Sequence, residues 1–172
     1  SNQRVLANSR LIEPPVLPAD LRWPFLGIGT AFAAVLLILS TKRHNRMARV
    51  SLAMLATLFS VIAGLTGVVM LGLWAFTDHQ SAWRNENLLQ ASVLGLVLFA
   101  LMAGWARRGG PAPASVRAVA ITIAVLSAAG VVMQLLPWFS QVNGAALLVF
   151  VPANIGMALG AARAAPATTE PT

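Results

Sequence analysis

The chain has 172 residues, 58% of them apolar and only 10% charged, with a net charge of +7 and a mean hydropathy of +0.75. That balance excludes a water-soluble domain of this size, and the lack of cysteine excludes disulfides, thiolate nucleophiles and Cys-ligated zinc or iron–sulfur sites. A pI near 11.9 raises nucleic-acid binding as a reading, but the cations cluster between apolar runs rather than along one face, which points to a membrane instead.

Residues 1–22 are polar and carry Pro14, Pro15 and Pro18. They lack a positive segment followed by an apolar core, so they are not a signal peptide and read as a linker or tether. A first residue other than Met favours a fragment of a longer polypeptide. Five apolar stretches follow, at about 23–40, 50–76, 88–105, 118–137 and 142–162, and none contains Asp, Glu, Lys, Arg or His. Each is long enough, or nearly so, to cross roughly 30 Å of hydrocarbon as a helix. Lipid offers the backbone no hydrogen-bond partner, so the segments must be helical. The expected architecture is an all-α polytopic five-helix transmembrane bundle. The second stretch is longer than a crossing needs and should tilt or protrude. Residues 163–172, rich in Ala, Pro and Thr, read as a disordered tail.

Charge placement gives the orientation. One side of the five crossings holds Lys42, Arg43, Arg46, Arg49, Arg107, Arg108, Arg117 and Arg163 against Glu170 alone. The other holds Arg4, Arg10, Arg22 and Arg84 against Glu13, Asp20, Asp78 and Glu86, which cancel. The positive-inside rule then puts the N-terminus outside and the C-terminus in the cytoplasm. Trp23, Trp74 and Trp138 fall at outer helix ends, Trp105 at an inner end and Trp83 in an outer loop, where indole rings suit the headgroup level.

The outer segment 77–89 concentrates the polar chemistry between two apolar spans. Its candidates for docking a substrate or a neighbouring domain are Thr77, Asp78, His79, Arg84, Asn85 and Asn87. Capping explains several of them: Thr77 with Gln80 matches a capping box, and Asn85 suits the N-cap of the third span. The catalytic alternative makes His79 a general base at the membrane surface, with Asp78 beside it. Neighbours in sequence diverge in direction, so a dyad between those two is disfavoured, and capping and docking outweigh catalysis. His44 lies in the basic inner loop, a membrane thickness from His79, so the two cannot share a haem. Lys42, Arg43, His44, Arg46 and Arg49 read as contacts to anionic lipid headgroups. Neither a cofactor nor a metal is expected.

Thr30, Ser60, Thr66, Ser92, Thr122, Ser127, Gln134 and Asn154 interrupt the spans. Asn154, two residues after Pro152, should lie near the midplane, where it could satisfy the carbonyl that the proline frees. An interhelical hydrogen bond is its default role and a substrate contact the lesser one. Spans without ionisable groups disfavour proton-coupled transport. Gly156 and Gly160 form a small-xxx-small face, expected to pack within the bundle together with Gly64, Gly67, Gly95 and Gly130.

Thr77-Asp78-His79, followed by Asn85, Asn87, Leu88 and Leu89 at the start of a span, resembles the C-terminal five-helix region of Lnb-type proteins. So does the link 136–143, with Pro137, Gln141 and Asn143. Where that pattern commonly continues with Asn and Pro, this chain has Ala91 and Ser92. The resemblance implies a bacterial inner-membrane protein whose periplasmic catalytic domain precedes the bundle, and a part in lipoprotein N-acylation. The partners it implies are membrane lipids, that upstream domain and lipoproteins; nucleic acid is not among them. On this view the bundle anchors the enzyme and is not itself catalytic. The rival readings are a self-contained acyltransferase using His79, and a small transporter or channel subunit.

Overall fold

The computed structural model describes residues 19–42, 45–76, 87–136 and 144–164. Six helices lie among the described residues: α1 (Ala19–Thr41), α2 (Arg46–Phe76), α3 (Asn87–Gln90), α4 (Leu94–Arg108), α5 (Ala114–Met133) and α6 (Gly144–Arg163). There is no strand among the described residues. With α3 and α4 counted as one interrupted crossing, five segments are long and apolar enough to span a membrane. At 31 residues, α2 reaches about 46 Å at 1.5 Å per residue. That exceeds the hydrocarbon thickness, so its first turn, with Arg46 and Arg49, can extend beyond the apolar layer. At the start, α1 takes in residues 19–22, which the sequence assigns to the linker. At the end, α6 runs through Arg163, and Ala164 is still buried.

The packing inverts that of a water-soluble protein. The interior is built from small residues such as Ala53, Ala56, Ala120, Ala153 and Ala161, while Ile38, Leu58, Ile62, Val69, Val125 and Val132 face outward. Lipid gives no hydrophobic reason to bury large chains, so helices gain most by approaching closely through small ones. The α1–α6 contact follows this rule. A Cβ on Gly29 would lie 2.5 Å from the Leu148 carbonyl oxygen, and one on Gly156 would lie 2.6 Å from the Ala33 Cα. Contacts that advance together along both helices make α1 and α6 parallel. Phe59 joins α2 to this pair, its ring 5.0 Å from Phe32 and 5.5 Å from Phe150.

A second close seam runs antiparallel between α2 and α4. Gly64 faces the Leu96 amide nitrogen, and Gly95 faces the Ser60 carbonyl. This seam accommodates a departure from the expected continuous third span. The helix stops after Gln90 and restarts at Leu94, and the Ala91 carbonyl lies where a Cβ on Gly67 would stand, 2.1 Å away. Ser92 supports the restart, its hydroxyl accepting the Leu94 amide at 3.3 Å, a local bond that competes with helix continuation.

Candidate functional site

Three buried polar side chains meet where the interrupted span crosses α5 and α6. Gln90, the last residue of α3, donates from Nε2 to the Ser127 carbonyl at 2.9 Å. The Ser127 hydroxyl in turn donates to Gln90 Oε1. Asn154 Nδ2 donates to the Gln90 carbonyl at 3.1 Å and to Ser127 Oγ at 3.2 Å. All three residues are at most 1% exposed. The Gln90 carbonyl depends on this arrangement. In an unbroken helix the Leu94 amide would be its partner, but that amide turns to Ser92. A carbonyl left bare in hydrocarbon would cost about 1–3 kcal/mol, so Asn154 repairs the break.

On Asn154 one valence stays open. Asn154 Oδ1 is buried without a hydrogen-bond partner. It does not serve Leu148, the residue whose carbonyl Pro152 frees; that carbonyl packs against Gly29 on α1. The remaining span hydroxyls turn inward on their own helices. Thr30, Thr66 and Thr122 donate to the carbonyls four residues back, at 2.7, 2.9 and 2.9 Å. Ser60 reaches only the Met157 sulfur, at 3.7 Å.

This joint lacks the parts of a catalytic site. The Ser127 hydroxyl gives its proton to a neutral amide oxygen, which cannot act as a base, so the oxygen is not activated as a nucleophile. Among the described residues no group of three or more His, Cys, Asp or Glu could hold a metal. The arrangement can order three helices and fix α3, the helix that follows segment 77–86 in sequence.

At the bundle end formed by the α1–α2 connection, the α4–α5 connection and the end of α6, cations gather. Lys42 follows α1, Arg46 and Arg49 open α2, Arg107 and Arg108 close α4, Arg117 lies in the first turn of α5, and Arg163 ends α6. The Arg49 guanidinium packs beside Gly109, where a Cβ would lie 3.2 Å from its terminal nitrogen. Gly109 and Gly110 adopt φ of 73° and 78°, positive values that suit glycine, and the turn ends α4 with the Gly109 amide on the Trp105 carbonyl at 2.9 Å. The turn is fastened to α6 by the Ala112 amide on the Ala164 carbonyl at 2.7 Å.

Trp105 departs from the headgroup role read from its position. Its ring is 1% exposed and its Nε1 donates to the Gly110 carbonyl at 3.1 Å. The indole therefore pins the turn from inside the bundle, while Trp23 and Trp74 remain exposed at the opposite end. Trp105→Phe keeps most of the packing and removes the indole bond to the Gly110 carbonyl, so a loss of about 1 kcal/mol is expected. Thermal unfolding in detergent measures it; an unchanged midpoint would show that the bond contributes nothing.

Of the residues proposed for docking, Thr77, Asp78, His79, Arg84 and Asn85 lie outside the described residues, as do Arg43 and His44 in the basic loop. Asn87 opens α3, its carbonyl accepting the Ala91 amide at 2.8 Å. Gln134 lies in the turn that ends α5, half-buried and away from the joint. Sequence reading passed over Gln90. The available signal was an amide side chain inside an apolar span, the same signal that singled out Asn154.

Bundle and joint together define a five-helix multi-pass membrane domain, with polar groups serving helix contact. A model of the Lnb transmembrane domain matches residues 23–137, and the chain belongs to that family. The match covers the first four crossings and includes Gln90 and Ser127; α6, with Asn154, lies beyond it. Comparison with curated proteins and with solved structures returned no match.

Proposed function

We propose that this bundle anchors a preceding periplasmic enzyme domain of the lipoprotein N-acylating kind at the bacterial inner membrane, with segment 77–89 contacting that domain or its lipid substrate. The observation that carries the reading is the joint of Gln90, Ser127 and Asn154, whose bonds hold α3, where that segment ends, and activate no nucleophile. Anchoring turns an encounter with a membrane-bound lipoprotein into a local one at high effective concentration.

Orientation follows from charge. The cations of the basic end favour the cytoplasm, which puts segment 77–86 and the N-terminus in the periplasm. A phosphatase that is active only outside the cytoplasm should work when fused within 77–86 and fail when fused within 109–112. The opposite pattern would invert the bundle and remove the proposal's basis.

The functional test is lipoprotein acylation in cells lacking the parent protein, complemented by full-length wild type or His79→Ala at matched expression and insertion. Anchoring predicts that the variant restores acylation to within about twofold of wild type, less than 0.5 kcal/mol in barrier terms. A folded, inserted variant that fails would put His79 in the active site, because losing a general base costs about 10²–10⁴-fold.

A further inference from the structure

Within the joint, the unused hydrogen-bonding capacity is specific. Asn154 uses both amide hydrogens, on the Gln90 carbonyl and on Ser127 Oγ, and Oδ1 has no partner. Rotating the amide by half a turn does not help. It would set Oδ1 against a carbonyl that can only accept and a hydroxyl whose proton is committed to Gln90 Oε1. On the neighbouring side chain, Gln90 Nε2 makes one bond, to the Ser127 carbonyl, although an amide nitrogen carries two hydrogens. The joint therefore retains one acceptor that needs a donor and one donor that needs an acceptor, both on residues 1% exposed.

We propose that a buried water molecule occupies this joint, donating to Asn154 Oδ1 and accepting from Gln90 Nε2. Acyl chains carry no hydrogen-bonding group and glycerol esters only accept, so neither of these can fill the role. One small molecule that both donates and accepts matches the open valences, and buried waters typically serve groups of this kind. The interruption at residues 91–93, between α3 and α4, adjoins Gln90, and non-helical backbone inside a membrane is tolerated where protein or water covers it. The water completes the repair that Asn154 begins, binding α3 to α5 and α6.

The test uses magic-angle-spinning NMR of the protein in phosphatidylethanolamine–phosphatidylglycerol bilayers with ¹⁵N-labelled asparagine and glutamine. Magnetisation transferred from water should reach the Asn154 side-chain amide, whose resonance is identified by its loss in Asn154→Leu. In Gln90→Met, which keeps the length and removes the donor, that transfer should fall to the level of lipid-facing groups while the fold persists. Transfer to Asn154 from acyl-chain protons alone would overturn the proposal. So would water transfer that is undiminished in a folded Gln90→Met, since the two-point site would then not exist.

Discussion

Gly67→Ala should destabilise the bundle by about 3 kcal/mol, the upper part of the usual range for an overfilled interior. The added methyl carbon would stand 2.1 Å from the Ala91 carbonyl oxygen, 2.9 Å from the Val93 nitrogen and 3.0 Å from the Ser92 carbonyl carbon. All three are backbone atoms of the interrupted crossing, so no rotamer change relieves the contact; α2 must move away from the break. Moving α2 also opens the rest of the seam, where Gly64 and Gly95 meet the facing backbone. Gly72→Ala on the same helix is the matched control, because nothing lies within 4 Å of its added carbon. That variant should be neutral or gain up to about 0.5–1 kcal/mol from helix propensity. Unfolding of both variants in mixed micelles reads the difference. Equal stabilities would mean that α2 and the break do not touch as described.

The five crossings and their alternation were legible because the membrane leaves few options. About 20 apolar residues without charge must form a helix, and cations must stay at the ends. The interruption of the third span was not legible. Ala91, Ser92 and Val93 include neither Gly nor Pro, and nothing in that stretch demands a break. The room for it lies on another helix, where Gly67 leaves space for the Ala91 carbonyl. Trp105 was misread for a related reason. Position marks it as an interfacial residue, yet the carbonyl that its indole bonds is presented by the turn at Gly109 and Gly110. Asn154 could be picked out as an amide deep in a span, and Gln90 by the same signal, but their meeting with Ser127 could not, since Gln90 and Ser127 are 64 and 27 residues from Asn154 in sequence.

Asn154→Leu should cost about 2 kcal/mol, and the reasons for that magnitude separate it from an ordinary polar deletion. Interhelical hydrogen bonds in membranes average about 0.6 kcal/mol because the separated helices find other partners. The bond from Asn154 to Ser127 Oγ fits that average. The bond to the Gln90 carbonyl does not, because the break has already diverted the Leu94 amide to Ser92. Truncation there leaves an unpaired backbone group in an apolar interior, worth about 1–3 kcal/mol. Leucine offsets part of the loss by removing the open Oδ1 valence and by adding apolar contact. Ser127→Ala leaves the Asn154 bond to the Gln90 carbonyl intact but strands Gln90 Oε1 and one Asn154 amide hydrogen, so it too should cost about 2 kcal/mol. A double-mutant cycle between the two residues then isolates their direct bond, expected near 0.6 kcal/mol. Asn154→Leu costing about 0.6 kcal/mol or less, the ordinary interhelical value, would show that the Gln90 carbonyl finds another donor. The break would then be self-sufficient, and the joint could not be what fixes α3. If the larger cost is found, the same variant should also lower acylation in complemented cells while leaving membrane insertion intact, because α3 loosens but the five crossings remain.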